Sequence, residues 1–271
     1  MKDLNFEDLW NKSRNENLEE TERFWDLRAE EFNNMVQGGE EKEQLMKYLI
    51  SKTKLDKEHE VLDIGCGPGK YLLEFAKIAK ETVGIDISPK MISYARDNVK
   101  KQHLNNANLM VAPWQTLNID KCQWNKKFNL AFASMSPAIN SRESLMKLME
   151  VSKQYCFISG FVYRRDNIRD SLMEIIFGED YEKPSQKNIY CAFNILWNMG
   201  FYPEITYRDA VWNKKIPIDQ AIDTYTFMIC KNNVNQQLIK DKVTSYLTQI
   251  SNDGQVEEHI EAKIAWMLWE V

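Results

Sequence analysis

The sequence predicts an α/β fold in which seven strands form one mostly parallel sheet with helices on both faces. Between residues 61 and 160, short apolar runs alternate with segments whose apolar residues recur at helical spacing. Such alternation is typical of parallel strands that are buried by helices on both sides. At the end of the chain, from Ile260 to Leu268, apolar residues stand at every second position. This period indicates a half-buried strand, which we expect to be antiparallel.

The N-terminal half of the chain carries a local signal for each element. Residues 3–36 and Glu41–Ser51 have apolar residues on one helical face, and two glycines at 38–39 end the first of these helices. Ser88 followed by Pro89 predicts an N-cap and the first position of a helix. The other predicted segments are strands at 61–64, 82–86, 108–111, 128–133 and 155–160, and helices at 72–79 and 142–151.

The C-terminal half begins with a long connection at 161–187, within which we predict a helix from Ile168 to Phe177 followed by Gly178. Connections of this length are often lids or binding elements. The remaining predicted elements are a helix at Asn188–Met199 ended by Gly200, a strand at 205–212, a helix capped by Asp219 and running to about Cys230, a helix at Asn235–Ile250, and the terminal strand as the partner of 205–212.

No linker or repeat divides the sequence, so we expect a single domain over residues 1–271. Its predicted parts are an N-terminal helical lid (1–51), a core (52–160), a substrate-side insertion (161–187) and the C-terminal part of the sheet with its helices (188–271).

Composition narrows the possible partners. The chain has a formal net charge of −5, whereas nucleic-acid-binding proteins usually carry a basic surface, so we expect no nucleic-acid partner. No apolar run approaches the ~20 residues of a membrane span, and the first ten residues lack the apolar stretch of a signal peptide. The five cysteines are scattered and lie apart from the three histidines, which disfavours disulfides and a metal site. We expect a cytoplasmic monomer or homodimer without a membrane partner.

Chemistry is concentrated in the segment VLDIGCGPGK at residues 61–70. Glycines at a strand-to-helix turn let a ligand approach the backbone closely. The spacing is G-x-G-x-G, not the G-x-G-x-x-G with which dinucleotide-binding proteins hold a pyrophosphate. Asp63, two residues before Gly65, would repel a pyrophosphate but suits an ammonium group. Asp86 ends the next strand, where a carboxylate can accept hydrogen bonds from ribose hydroxyls.

The segments VLDIGCGPG and VGIDISPKMISYAR resemble motif I and the acidic-loop motif of the Rossmann-like, class I S-adenosylmethionine-dependent methyltransferases. The resemblance covers residues 60 to about 160. It implies an enzyme that uses S-adenosylmethionine and releases S-adenosylhomocysteine. The predicted contacts are Asp63, Gly65, Cys66 and Gly67 with the methionine part of the cofactor, Asp86 with the ribose, Ile87, Met91, Ala112, Pro113 and Trp114 with the adenine, and Ser134 and Met135 with the transferring methyl group.

Two further features belong to this resemblance. Pro113 stands where many relatives have an acid that binds the adenine amino group, so we expect backbone groups and stacking on Trp114 to hold the base. Residues 24–32, FWDLRAEEF, resemble a stretch that forms a lid over the cofactor in many small-molecule methyltransferases. Its aromatic face, with Phe32, would stabilise the sulfonium by about 0.5–2 kcal/mol through cation–π contact. The alternative is an amphipathic helix packed on the sheet edge.

No motif for a general base is present, and methyl transfer can proceed largely by alignment and desolvation. Ser136, Asn140, Tyr163 and Arg164 are candidates to orient the acceptor, although a solvated loop is the alternative for residues 163–165. Residues 134–139, SMSPAI, lack the second proline and the aromatic of the motif found in methyltransferases that act on nucleobase amines. We therefore predict methyl transfer to a small-molecule acceptor. The alternatives are a protein or tRNA methyltransferase and a non-catalytic S-adenosylmethionine-binding regulator.

Overall fold

The structure, a computed structural model, describes residues 5–11, 17–36, 38–178, 187–230 and 235–271. The strands are β1 (Glu60–Ile64), β2 (Glu81–Asp86), β3 (Ala107–Val111), β4 (Phe128–Ser134), β5 (Ser152–Asp166), β6 (Glu204–Pro217) and β7 (Gln255–Glu270). The helices are α1 (Phe6–Asn11), α2 (Leu18–Asn34), α3 (Glu40–Thr53), α4 (Leu72–Ile78), α5 (Pro89–Lys101), α6 (Arg142–Val151), α7 (Asn167–Phe177), α8 (Asn188–Asn198), α9 (Ile218–Ile229) and α10 (Gln236–Ile250).

The strands form one sheet in the order β3-β2-β1-β4-β5-β7-β6. Strand β1 pairs in parallel with β2 and β4, and the parallel pairing continues from β2 to β3 and from β4 to β5. The predicted Rossmann-like, mostly parallel seven-stranded sheet with an antiparallel C-terminal strand is confirmed, as is the placement of the last strand beside β6.

The described residues fall into two compact units. The first lies within residues 1–160, 187–206 and 265–271, and the second within residues 161–186 and 207–264. In the first unit, Phe132 of β4 packs against the rings of Tyr71, Phe75 and Phe157 at centroid distances of 5.0–5.3 Å. The second unit has its own core from α7, α9, α10 and β7, formed by Ile168, Leu172, Ala221, Tyr225, Ile229, Ile239, Val243, Leu247 and Val256. The expectation of a single domain stays a prediction.

The start of α5 follows its predicted capping signal. Ser88 accepts a hydrogen bond of 3.0 Å from Met91 N, and Pro89 opens α5. Helix α6 has the predicted bounds, and the structure adds a reciprocal capping box of Ser141 and Ser144 at its start. Both caps use only residues that are close in sequence, but only that of α5 was predicted.

Strand β5 runs beyond its predicted end and reaches Asp166, so residues 161–166 are strand and not connection. Gly160, the last residue of the predicted strand, lies inside β5. A Cβ at this position would come within 3.2 Å of Ile189 Cγ1, so the glycine permits close packing of α8. The predicted acceptor-side residues Tyr163 and Arg164 therefore lie on a strand.

Helix α9 begins at Ile218, with Pro217 at its N-cap, so the predicted cap at Asp219 was wrong. Ile218 N donates to Gly254 O at 3.0 Å, which satisfies the first helical N–H without a side-chain cap. Asp219 lies in the first turn, where its negative charge favours the helix start. Strand β7 also differs, because its burial alternates only as far as Ile264 and then becomes continuous to Trp269.

Some predicted segments lie outside the described residues. These are residues 3–4 and 12–16 of the predicted N-terminal helix, and residues 179–186 of the predicted insertion. Within the parts of the chain that the structure describes, no helix combines the length and apolar character needed to cross a membrane.

Gly84→Ala is expected to destabilise the protein by about 1–3 kcal/mol, because it overpacks the sheet. A Cβ on Gly84 of β2 would lie 2.6 Å from Leu72 Cδ1 and 2.9 Å from Leu109 Cδ2. The measurement is the free energy of unfolding in urea. Gly38→Ala is the matched control, since a Cβ there meets no atom within 4 Å. Equal stability of the two variants would contradict the described packing of β2.

Candidate functional site

The candidate site lies at the carboxyl end of β1, where the residue 65–69 loop leads into α4. Gly65, Gly67 and Gly69 have φ values of 73°, 54° and 94°, a region that side-chain-bearing residues rarely adopt. Gly65 N and Cys66 N both donate to Ile85 O, at 2.8 and 3.0 Å, so the loop is fixed against the end of β2. The predicted glycine turn therefore forms, with its backbone held by the neighbouring parallel strand.

Asp63 is buried beneath this loop. Its carboxylate accepts a hydrogen bond from Leu72 N, while Oδ2 has no hydrogen-bond partner within the described structure. Burial, followed by the negative charge of Asp86, raises the pKa of Asp63 to about 8. A buried carboxylate oxygen without a donor is costly, and a cationic ligand group at this position would satisfy it.

Asp86 joins the glycine loop to the start of α5. Its Oδ2 accepts from Gly67 N and its Oδ1 from Ser88 N, each at 2.9 Å. Burial raises the pKa of this carboxyl group above its usual value. Because each carboxylate oxygen has a second lone pair, Asp86 can still accept further hydrogen bonds from a ligand.

The predicted adenine-side residues gather around the same strand ends. Ala112 N donates to Asp86 O at 2.9 Å, which places the turn after β3 beside the acidic residue. Met91 is buried and lies over the glycine loop, 3.9 Å from the position of a Cβ on Gly67. Ile87 and Pro113 are partly exposed.

Trp114 occupies a different environment from the one expected. Its side chain is 2% exposed, and its indole N–H donates to Ser144 O of α6 at 3.1 Å. The indole is thus packed in the interior of the fold. Stacking of adenine on this ring stays a prediction, and the observed packing disfavours it.

The end of β4 has an unusual backbone. Met135, although not a glycine, has a φ of 52°. Its N–H donates to both the carbonyl and the hydroxyl oxygen of Ser159 on β5, at 3.1 and 3.0 Å. The Ser159 hydroxyl also bonds the Ser134 hydroxyl at 3.0 Å. This bonding holds a conformation that costs about 1–3 kcal/mol, at the position predicted to face the methyl group.

Two of the acceptor-side candidates lie in the segment between β4 and α6. Ser136 packs so closely on Gly65 that a Cβ there would collide with its hydroxyl group. Asn140 precedes α6, and its Oδ1 is buried without a hydrogen-bond partner within the described structure. The structure thus brings Ser136 to the glycine loop, whereas Asn140 lies at the start of α6.

The other two candidates belong to the second unit. Tyr163 is exposed on β5. The Arg164 guanidinium donates to Asp166 at 2.9 Å and lies over the Phe161 ring at 5.3 Å. Arg164 already has an anionic partner, and this network lowers its availability for an acceptor carboxylate.

Helix α2, which carries Phe32, is attached by three hydrogen bonds to α5 and its N-cap residue. Asp26 accepts hydrogen bonds from the Ser88 hydroxyl and from Lys90 N. Asn98 donates both to Asn33 Oδ1, at 2.9 Å, and to Pro68 O of the glycine loop, at 3.0 Å. The contacts tie α2 to both loops of the candidate site.

Sequence reasoning missed three residues that support these loops: Asp26, Ser159 and Lys147. The Lys147 ammonium contacts the turn after β3, and burial lowers its pKa. Their partners are between 24 and 64 residues away in the sequence. Ser159 and Lys147 stand in no motif, whereas Asp26 lies in the FWDLRAEEF stretch.

Residues 55–177 match the model of a family described as a methyltransferase domain. The chain is 36% identical over 66 residues to a probable cobalt-precorrin-6B C(15)-methyltransferase (decarboxylating) of Methanobrevibacter smithii, which covers 24% of this chain and 35% of that protein. It is 31% identical over 113 residues to the 23S rRNA (uracil(1939)-C(5))-methyltransferase RlmD of a Shewanella strain, covering 32% of this chain and 25% of that protein.

These curated relatives are therefore matched over only about a third and a quarter of their own lengths. Among solved structures, the YcgJ protein of Bacillus subtilis is similar with a TM-score of 0.50 and 15% sequence identity, over 82% of this chain and 96% of that chain. At this level of identity, the likeness shows a shared fold.

Replacing Asp63 by Asn is expected to remove a pH-dependent loss of stability. The pKa of Asp63 is raised from 3.8 to about 8 in the folded protein, so the protonated form is the one that folding favours. The protonated Asp63 therefore adds to the free energy of unfolding. This contribution is complete below pH 4 and is lost as pH rises through 8, by at most about 1.4 kcal/mol per pH unit. Urea unfolding between pH 5 and 9 should show Asp63→Asn gaining stability over the unmodified protein as pH rises. A stability difference that stays constant over this range would contradict the buried, unsatisfied carboxylate.

Proposed function

We propose that this chain is a class I S-adenosylmethionine-dependent methyltransferase that transfers the methyl group of S-adenosylmethionine to a small-molecule acceptor. The observation that carries the proposal is the buried Asp63 carboxylate, whose Oδ2 lacks a donor beneath the glycine loop. The cofactor has an ammonium group and no phosphate. Its chemistry therefore suits a loop that presents a carboxylate where a dinucleotide-binding loop would meet a pyrophosphate.

The residues at the strand ends fit the remaining parts of this cofactor. When bound, S-adenosylmethionine supplies an electrophilic methyl group on a sulfonium. Asp63 would hold the ammonium group beside the loop of Gly65, Cys66 and Gly67, and Asp86 would hold the ribose hydroxyls. The adenine would lie against Ile87, Met91, Ala112 and Pro113, and the sulfonium side would meet Ser134, Met135 and Phe32.

On the acceptor side, Ser136 and Asn140 are the strongest candidates of the four. Ser136 packs on Gly65 of the glycine loop, and the unpartnered Oδ1 of Asn140 can accept a hydrogen bond from an acceptor N–H or O–H. The Arg164 guanidinium is already paired with Asp166. We propose that Ser136 and Asn140 orient the acceptor. Alignment and exclusion of water then supply most of the rate enhancement.

A small-molecule acceptor is favoured over RNA by the charge of the chain. Its net charge of −5 lacks the basic excess that RNA binding needs. The name of one relative specifies a precorrin, which favours a small molecule, while the name of another specifies 23S rRNA. RNA methylation is therefore the second candidate, and a regulator that binds the cofactor without catalysis is the third.

Asp86→Ala is expected to weaken S-adenosylhomocysteine binding at least tenfold, because the ribose would lose its acceptor and the loop its anchor at Gly67. Titration calorimetry with S-adenosylmethionine, S-adenosylhomocysteine and NAD measures this. Asp56→Ala, which removes an exposed acid before β1, should keep the unmodified affinity. Binding of NAD alone would overturn the proposed function.

Incubation with methyl-tritiated S-adenosylmethionine is expected to label small molecules of a cell extract and leave its RNA and protein unlabelled. Asn140→Ala should lower the labelling rate about tenfold while the affinity for S-adenosylhomocysteine stays unchanged, since Asn140 is proposed to contact only the acceptor. Label recovered in RNA would favour the second candidate. Cofactor binding without label in any fraction would favour the regulator.

A further inference from the structure

The ammonium of Lys147 on α6 is surrounded by backbone carbonyls of a single turn. Its Nζ lies 2.9 Å from Trp114 O, 2.9 Å from Gln115 O and 3.1 Å from Leu117 O. A lysine ammonium has three N–H donors, so one side chain engages three carbonyls at once. The same Nζ lies 5.4 Å from the centroid of the Trp114 ring. Hydrogen bonds from a charged donor are stronger than those between neutral groups.

The turn at residues 112–117, which we call the β3 turn, has little support of its own. Within it, Thr116 N and Leu117 N both donate to Pro113 O, at 3.3 and 3.1 Å. Outside the turn, Ala112 N is bonded to Asp86 O, and Gln115 Nε2 donates to Ala138 O at 3.4 Å. The other bonds come from α6, where Lys147 holds three carbonyls and Ser144 O accepts from the Trp114 indole. Helix α6 thus supplies most of the hydrogen bonds that hold this turn.

The β3 turn borders the part of the candidate site where the adenine would lie. It starts at Ala112, whose N–H donates to Asp86 O at 2.9 Å. Position 113 is a proline, so neither a carboxylate nor an N–H is available there to bind the base. Recognition of the adenine then depends on where the remaining backbone groups of the turn stand.

We propose that Lys147 is a positioning residue for adenine recognition, acting by fixing the β3 turn from the side of α6. This inference rests on the proposed function, since it assumes that the nucleoside of S-adenosylmethionine lies against the turn. Without Lys147, three carbonyls lose their donor and the turn gains freedom to move. Affinity for the base and discrimination against altered bases then decline together.

The test compares the dissociation constants of S-adenosylhomocysteine and S-inosylhomocysteine, which differ only in the purine, by titration calorimetry. Lys147→Met keeps the length and apolar stem of the side chain and removes the donors. We expect it to weaken S-adenosylhomocysteine binding about tenfold. The ratio of the two constants should fall at least threefold. If the substitution only lowers the fraction of folded protein, binding of both ligands declines equally and the ratio of the two dissociation constants stays unchanged.

Two further variants make the result specific. Lys126→Met is the matched control. Lys126 Nζ, like Lys147 Nζ, donates to a backbone carbonyl, but this carbonyl is Met149 O of α6, at 3.1 Å, and does not belong to the β3 turn. The affinity of this variant for S-adenosylhomocysteine and the ratio of the two constants should equal those of the unmodified protein. Lys147→Arg keeps the charge, but its planar fork is poorly shaped for three converging carbonyls, so an intermediate effect is expected. This variant also provides the test if Lys147→Met does not fold.

The outcomes separate this inference from the proposed function. If the unmodified protein binds no S-adenosylhomocysteine, the proposed function fails. If it binds S-adenosylhomocysteine and both Lys147 variants retain its affinity and base ratio, only the role of Lys147 is overturned.

Discussion

The arrangement of the candidate site depends on the hydrogen bonds of one carboxylate, that of Asp86. Its two oxygens bind Gly67 N of the glycine loop and Ser88 N at the start of α5. Ser88 in turn donates to Asp26 of α2, and the carbonyl of Asp86 accepts from Ala112 N of the β3 turn. One residue thereby connects the loops after β1, β2 and β3. These loops meet because the carboxyl ends of parallel strands lie at the same edge of a sheet.

The same edge holds several unfavourable features. Two buried carboxyl groups, Asp63 and Asp86, lie close enough that the charge of one raises the pKa of the other. Met135 adopts a left-handed backbone conformation and is held in it by Ser159. Perturbed carboxyl groups and strained backbone often cluster at functional sites. The interior of the first unit, in contrast, is apolar and aromatic around Phe132.

Helix α6 supports the candidate site through its contacts with the β3 turn. Its first turn is capped by Ser141 and Ser144, and Ser144 also receives the Trp114 indole. Lys147, one turn later, binds the carbonyls of the β3 turn. The segment before α6 carries Ser136 and Asn140. Helix α6 thus contacts the turn proposed for the adenine and directly follows the segment proposed to contact the acceptor.

The sequence by itself determined the fold class, the glycine turn, the cap of α5 and the bounds of α6, because each depends on patterns of residues that are close in the chain. It also indicated a phosphate-free cofactor, since Asp63 and the glycine spacing are parts of one short segment. Only the tertiary structure decided that the Trp114 indole turns inward and that β5 continues through Gly160. It also revealed Lys147 and Ser159. These features depend on which distant segments become neighbours, and no local pattern records such contacts.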